Sequence, residues 1–394
     1  MVPDPVTAPV VPIPAAVRDI LARLEAAGHE TWCVGGAIRD ALLGDPQSDV
    51  DLATAATPQQ VRRLFDRTIP VGIEHGTIGV LDPEGVLHEV TTFRRDVRTD
   101  GRHAVVAFGV SLDEDLARRD FTINAIAWHP LRDEFRDPFD GRADLAAGIV
   151  RAVGDPAQRF QEDRLRILRA LRFAARFDFR IEEATWAAAR QQATDTAHLS
   201  AERVREEWWK GIATARRPEA LAALWREVGI DAVWLPAAEV RDPGPLPRDP
   251  VLALAAWRRP VEPILRHLKC SGAEIARGRG IDRGPAAPAS ADPVVVRRWL
   301  AQVGAAADDL LALARCLGDP EAPWLAAVAG VRARGEPTSR ADLAISGDDL
   351  VRAGVVEPGP ALGRLLAALL EHVLVHPEDN SHDALLARAR DEAA

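Results

Sequence analysis

The sequence predicts an α+β fold, a mixed α/β head over residues 15–150 followed by an all-helical remainder to residue 394. Three observations carry this. Up to Ile149, short strand-like segments alternate with amphipathic helical ones. From Pro156 to the end, helical periodicity dominates and strand alternation is absent. The composition is ordinary for a globular chain, with 47% hydrophobic and 27% charged residues. The 28 Gly and 29 Pro residues follow no repeat, which excludes a collagen-like or low-complexity chain.

From Pro14 to Ala27 the apolar residues Val17, Ile20, Leu21 and Leu24 recur at helical spacing, and Gly28 can end that helix. Thr31 to Val34 reads as a strand. Gly35-Gly36 follows, then a helix from Ala37 to Leu43 stopped by Gly44 and Pro46. Asp49 to Ala53 reads as a second strand. Thr57-Pro58 is an N-cap with proline at the first helical position, so Gln59 to Asp66 is predicted helical. Two strands follow, Gly76 to Leu81 and Val86 to Phe93, the second with Leu87, Glu89, Thr91 and Phe93 on one face. In the helical remainder, breaks are expected near Arg216–Pro218, at Arg241–Asp249 and at Arg277–Pro293, the last being the best linker candidate.

Acidic residues outnumber basic ones, 59 to 49, and the net charge of −10 argues against a bulk polyanion binder. A local basic stripe remains compatible with RNA binding. No run approaches the ~18 consecutive apolar residues of a membrane span, so no membrane association is expected. The longest apolar run, Val251 to Trp257, is a core segment. Met1 to Pro14 lacks a basic n-region and a cleavage-like site, so residues 1–14 are expected to be a flexible leader on a cytoplasmic protein. Cys33, Cys270 and Cys316 lack metal-ligand spacing and read as reduced thiols.

Two clusters suggest chemistry. Gly35-Gly36 lies between a strand and a helix, where the backbone can approach a phosphate closely, and Arg39 follows one turn later. Asp49 and Asp51 stand two apart on a predicted strand, so both carboxylates face one side. Such a pair suits Mg²⁺, a hard cation that shares its ligands with substrate phosphates. Glu89 is a candidate third carboxylate. Singly, each has a plain alternative in a turn or a solvated strand edge. Their order within 17 residues of chain, from Gly35 to Asp51, points to two-metal phosphoryl or nucleotidyl transfer.

At these residues a family resemblance appears. GGAIRDALLG followed by SDVDLAT resembles the head signature of the class II nucleotidyltransferases, which comprise bacterial CCA-adding enzymes (tRNA nucleotidyltransferases) and bacterial poly(A) polymerases. Further blocks of that family occur in order. RRDFTINA, residues 118–125, implies that Arg119, Asp120 and Asn124 meet the triphosphate and sugar of the incoming nucleotide. DPFDG, 137–141, is similar to the family's turn between head and neck. EDRLRILRALRF, 162–173, implies that Asp163 and Arg166 act as a protein template for C or A, with Arg169 and Arg172 lining the same site. As i,i+3 neighbours on a helix, Asp163 and Arg166 are expected to hold each other in place. SAERVREE, 200–207, resembles the family's last motif, with Ser200 as an N-cap bracing the templating helix. The match covers residues 30 to 210; beyond it the chain resembles the family only in being helical.

The resemblance implies a nucleotidyltransferase head at 15–150, a base-recognising neck at 151–217, a body at 218–300 and a tRNA-binding tail at 301–394. His75-Gly76-Thr77 is similar to the CCA-adding branch, where poly(A) polymerases tend to carry a basic, aromatic segment. Residues 94–115 resemble the family's flexible loop at full length, which favours addition of all three nucleotides. The implied function is Mg²⁺-dependent addition of CCA to the 3′ end of tRNA from CTP and ATP. The alternatives are a poly(A) polymerase, a CC- or A-adding enzyme, or a catalytically silent RNA-binding homologue. His382-Asp383 reads as a capping or solvated pair.

Overall fold

The computed structural model describes residues 13–45, 49–99, 104–236, 239–242 and 244–393. The leader, apart from Ile13 and Pro14, and the tip of the 94–115 stretch lie outside these residues. The chain divides into two compact units, residues 1–234 and 235–394.

The first unit opens with α1 (Ala15–Ala26), whose Val17, Ile20, Leu21 and Leu24 are buried as their spacing predicts. Fully burying each such side chain contributes about 1.5–3 kcal/mol. Then follow β1 (Thr31–Val34), α2 (Gly36–Leu42), β2 (Asp51–Thr54) and α3 (Pro58–Leu64). At the start of α3, Thr57 and Gln60 form a reciprocal capping box, and Pro58 sits at the first helical position. Next are β3 (Thr68–Gly72), β4 (Thr77–Leu81), β5 (Leu87–Thr92), β6 (Arg94–Thr99), β7 (Ala104–Phe108), α4 (Leu112–Ala117), β8 (Ala127–His129), β9 (Glu134–Arg136) and α5 (Gly141–Ala147).

Seven of the strands form one sheet in the order β3-β4-β5-β2-β1-β8-β9, antiparallel except for the parallel β2–β5 pair. One face of the sheet carries Leu52, Ile78, Val80 and Val90, buried under α1 and α3. On the other face Trp32, Val34 and Ala53 pack with Phe93, Leu112 and Leu116. Cys33 is fully buried in β1, and burial pushes its thiol up to about 12 against the pull of Arg18. None of the three cysteines is in a disulfide.

Several expectations are corrected. β2 begins at Asp51, so Asp49 lies outside the strand. β5 ends at Thr92, and Phe93 lies on the face of Leu87 and Glu89 as its spacing predicts, but it is buried among Trp32, Val34 and Ala53 while Leu87 and Glu89 are exposed. The 94–115 stretch is not simply a loop: β6 and β7 pair as an antiparallel ribbon leading into α4. Asp137 accepts hydrogen bonds from the backbone N–H groups of Gly141 and Arg142, so DPFDG is a tight turn. There is no room there for a side chain, since a Cβ on Gly141 would fall 2.1 Å from the Thr122 carbonyl oxygen.

Helices α6 (Pro156–Glu162), α7 (Leu165–Phe177), α8 (Glu183–Gln191), α9 (Ala201–Thr214), α10 (Pro218–Val228) and α11 (Ile230–Trp234) complete the first unit. Ile167, Leu168, Leu171 and Phe173 form the buried stripe of α7, which packs on α9 and α10.

The second unit consists mainly of helices: α12 (Pro250–Trp257), α13 (Glu262–His267), α14 (Gly272–Arg283), α15 (Pro293–Val303), α16 (Ala307–Leu317), α17 (Pro323–Ala333), α18 (Gly347–Arg352), α19 (Pro360–Val375) and α20 (His382–Ala393). The expected linker at Arg277–Pro293 is half wrong. Residues 277–283 end α14, where Arg277 binds Asp309 (2.7 and 2.8 Å) and Asp249 (2.8 Å). Two glycines in RGRGIDR suggested a break, but this charge pairing and the Ser271–Glu274 capping box outweigh their weak helix propensity. No helix among the described residues is long and apolar enough to cross a membrane.

Candidate active site

A cleft of ≈ 380 Å³ opens in the first unit, lined by Gly35, Gly36, Arg39, Asp51, Arg118, Arg119, Asp120, Asn124, Asp163, Arg166, Arg169 and Phe173. Five arginines face three aspartates there, a local cationic surplus on a chain of net charge −10. That balance suits a polyanion such as a nucleoside triphosphate.

Gly35, just past β1, adopts φ +81°, and a Cβ there would fall 3.1 Å from Arg119 Nη1 and 3.8 Å from Asp51 Oδ2. Both the backbone and the crowding demand glycine. Arg39 is buried and already paired. Its Nε and Nη2 donate to Asp40 Oδ1 at 2.8 and 2.7 Å, and its Nη1 to Asn124 Oδ1 at 2.5 Å. The guanidinium also lies 5.1 and 5.0 Å from the ring centroids of Phe173 and Phe177. Burial lowers its pKa, and Asp40 opposes that shift.

Arg118 and Arg119, at the end of α4, share the buried Asp115 at 3.0 and 3.5 Å. Arg119 Nε is buried without a hydrogen-bond partner, a donor left for something the protein does not itself supply. Asp120 is fully used. Its Oδ1 accepts from the Phe121 backbone N–H and Asn124 Nδ2, each at 2.9 Å, and its Oδ2 from Arg169 at 2.7 Å. Burial alone would raise the Asp120 pKa, but Arg169 and these hydrogen bonds hold it below the usual carboxylate value.

The three carboxylates predicted as catalytic are arranged unequally. Asp51 reaches the cleft. Glu89 is exposed on β5, next to β2, and Asp49 is exposed two residues before Asp51; neither lines the cleft. The Asp51 carboxyl is pushed up to about 6, by burial first and then by Glu89 and Asp49, with Arg119 opposing. Among the described residues, no group of three or more His, Cys, Asp or Glu side chains comes together as a metal cluster.

The base-reading pair also differs from expectation. Asp163 precedes α7 in an extended conformation, so it is not an i,i+3 helix neighbour of Arg166. Asp163 instead accepts from Arg203 Nη2 at 3.0 and 3.2 Å. Arg166 donates to Glu162 at 3.0 Å and to the Arg118 carbonyl at 3.0 Å. Each is braced by a third residue, which leaves both lining one wall of the cleft. Ser200 makes no side-chain cap, so the 200–207 motif braces α7 through Arg203 and Glu207.

Arg172 is not in the cleft. It is buried, with Nε 2.6 Å from Glu207 Oε2 and its guanidinium 4.4 Å from the Phe173 ring centroid. Arg172→Ala strands a buried carboxylate and should lower unfolding free energy by about 3 kcal/mol in urea titration. The KM for CTP of the folded variant should be unchanged; a raised KM at unchanged stability would return Arg172 to the nucleotide site. The sequence reading passed over Arg118 and Phe173 as site residues, although both lie inside motif blocks it singled out. Their chain neighbours carried the stronger chemical signal.

Comparison with known proteins identifies the family. Residues 31–151 match the family model "Poly A polymerase head domain", residues 178–240 the model "Probable RNA and SrmB- binding site of polymerase A" and residues 336–389 the model "tRNA nucleotidyltransferase domain 2 putative". The CCA-adding enzyme of Lactiplantibacillus plantarum is 36% identical, with 95% of each chain covered. That of Streptococcus mutans is 48% identical over 47% of this chain and 46% of its own. The crystal structure of the Bacillus stearothermophilus CCA-adding enzyme in complex with CTP superposes with a TM-score of 0.77 at 30% identity, covering 96% of each chain. The ordered motifs, the cleft they build and these full-length relatives agree: the chain belongs to the bacterial CCA-adding enzymes of the class II nucleotidyltransferase family.

Proposed function

We propose that this chain adds C, C and A without a nucleic-acid template to the 3′ end of tRNA, using CTP and ATP and releasing pyrophosphate. The observation that carries this reading is the convergence in one cleft of Asp51, a cationic lining and the separately braced Asp163 and Arg166. A carboxylate acceptor beside a planar five-donor guanidinium offers a hydrogen-bonding edge suited to a base. Full-length relatives named CCA-adding enzymes support the choice of acceptor.

The incoming triphosphate would lie against Gly35, Gly36 and Arg119, whose Nε is free to donate. Asp120, Asn124 and Arg169 form a pre-set network beside it, and Arg39 stiffens its floor. Arg172 supports α7 from behind through Glu207. The RNA 3′-hydroxyl oxygen bonds to the α-phosphorus, the bond from that phosphorus to the pyrophosphate oxygen breaks, and the hydroxyl proton passes to water.

Asp49 and Asp51 would hold Mg²⁺, with Glu89 adding negative charge beside them. The donor set fits: hard oxygens only, with Asp51 pushed up to about 6 by burial and by Glu89 and Asp49, which Arg119 offsets only in part. When bound, Mg²⁺ supplies charge neutralisation at the α-phosphate and activation of the hydroxyl. The few protein ligands match an ion that shares its coordination with substrate phosphates.

We assign residues 15–150 as the catalytic head, 151–217 as the neck that selects the base, 218–300 as the body and 301–394 as the tRNA-binding tail. The reading places the protein in the cytoplasm, where its substrates are, and three cysteines outside any disulfide accord with that. tRNA binding through arginines should weaken steeply as salt is raised.

The test is primer extension with Mg²⁺ on tRNA ending before CCA, tRNA ending in CC and an unrelated RNA. CCA on the first, A on the second and nothing on the third is the expected result. Long A tails on all three would overturn the reading in favour of a poly(A) polymerase. CC alone or A alone would make the chain half of a divided pathway. Normal tRNA binding without incorporation would make it a silent RNA binder.

A further inference from the structure

One face of the seven-stranded sheet is only partly covered. Over β1 and β2 it is filled by Trp32, Val34, Ala53, Phe93, Leu112 and Leu116. Over β5, β4 and β3 it stays open, exposing Ile69 (44%), Val71 (45%) and Leu87 (40%). A contiguous exposed apolar surface of this kind marks an interaction site more often than scattered single residues do.

The strand register ties this surface to the carboxylates. Ile69 pairs with Gly79, and Gly79 with Glu89. Glu89 lies beside Asp51, because Leu52 pairs with Val90 in the parallel β2–β5 ladder. A single cross-strand row therefore runs from the apolar edge of the sheet to the two carboxylates. At its centre, a Cβ on Gly79 would fall 2.4 Å from Leu87 Cδ1 and 3.0 Å from Val71 Cγ2. Those two side chains close directly over the glycine. Val71 follows Ile69 by two residues on β3 and so shares its face. The result is a shallow apolar saddle across three strands. Thr77 and Thr91 on the same strands bond to each other at 3.0 Å.

The nucleotide cleft lies on the opposite side of Asp51, at Gly35 beyond the end of β1. In an in-line displacement the attacking oxygen and the leaving group stand on opposite sides of the phosphorus. With the triphosphate in the cleft, the attacking hydroxyl must come to Asp51 from the β5 side, across the saddle. We propose that Ile69, Val71 and Leu87 form the platform for the terminal nucleotides of the acceptor RNA strand. The bases rest on it by apolar contact, with the 3′-hydroxyl at Asp51. An apolar platform presents its surface to any base face and reads no base edge. It therefore holds the strand equally well when the end changes from the original nucleotide to C and to CC. This inference rests on the proposed function, because it takes Asp51 as the reaction centre.

The test uses the full chain and two variants, Ile69→Ser and the double variant Val71→Ser with Leu87→Ser, each checked for an unchanged melting temperature. Extension of an RNA minihelix ending in CC is measured with RNA and ATP varied in turn, and binding of the same minihelix is read by fluorescence anisotropy. The KM and Kd for RNA should rise about tenfold, as for loss of buried aliphatic contact area. The KM for ATP, and kcat at saturating RNA, should stay within about twofold. An RNA KM and Kd equal to the parent's would overturn the platform, as would a rise confined to ATP. A parent that sediments as a dimer, with variants that are monomeric and bind RNA normally, would assign the face to a second copy of the chain and overturn the proposal too. A parent that binds the minihelix but never extends any RNA fails the proposed function instead, and the anisotropy arm still decides the platform.

Discussion

Asp51→Asn should abolish incorporation of C and A, by about 10³-fold or more, while making the protein more resistant to heat. Loss of turnover follows because catalysis of this class depends on placing charge at the reacting phosphate. The gain in stability follows from the raised pKa. The Asp51 carboxyl titrates at about 6 in the folded chain against an ordinary 3.8. Its ionised form is therefore less favourable in the folded than in the unfolded protein, and the carboxylate destabilises the fold most fully above about pH 6, by a margin that solvent screening keeps small because Asp51 is exposed. That penalty shrinks as the pH falls from 6 and is gone below 3.8. Without divalent cations, the melting temperature of Asp51→Asn should exceed the parent's at pH 8, and the gap should close by pH 4. Mg²⁺ should raise the parent's melting temperature and leave the variant's nearly unchanged. Retained incorporation would remove Asp51 from the reaction. A variant that melts below the parent at pH 8 would contradict the repulsion among Asp51, Glu89 and Asp49.

The second large effect is expected at Asp163. Asp163→Ala removes the acceptor from the base-reading wall but leaves Arg166 held by Glu162 and the Arg118 carbonyl. Selectivity for C and A over G and U should fall about 100-fold in kcat/KM ratios, with the Mg²⁺ requirement unchanged. Arg203→Ala should move selectivity in the same direction but less far, because Arg203 positions Asp163 and does not line the cleft. The pair is partly exposed, so its loss should cost at most about 1 kcal/mol of stability. Competition among the four nucleoside triphosphates on one RNA measures both variants. Unchanged selectivity in Asp163→Ala would refute the templating role; a full loss in Arg203→Ala would mean that Arg203 itself reads the base.

Much of this site was legible in the chain. The turn at Gly35-Gly36, the strand at Asp51 and the helix after Leu165 are local features, set by glycine, by alternation and by 3.6-residue spacing. The cationic blocks around Arg119 and Arg169 were legible because their residues lie within a few positions of one another. The errors have a common origin. Asp163 and Arg166 seemed to pair because a continuous helix was assumed, but the chain extends at Asp163 before α7 begins. Arg172 seemed a site residue because it follows Arg169 in the same block, but one turn further along α7 it meets Glu207 of α9. β3 went unrecognised because Pro70 and Gly72 interrupt its alternation, yet antiparallel pairing with β4 holds it.

The sequence by itself thus determined the family, the elements of the head up to β5 other than β3, and the inventory of charged groups, because these are written in short-range spacing. Tertiary structure alone decided which charge each group faces. Arg39 is claimed by Asp40, Arg172 by Glu207 and Asp163 by Arg203. It also decided that Asp51 enters the cleft while Asp49 and Glu89 stand outside its lining. The physical reason is that a buried or partly buried ion needs a partner within about 4 Å, and most of these partners lie tens of residues away in the chain. Only packing, which no local spacing encodes, brings them together.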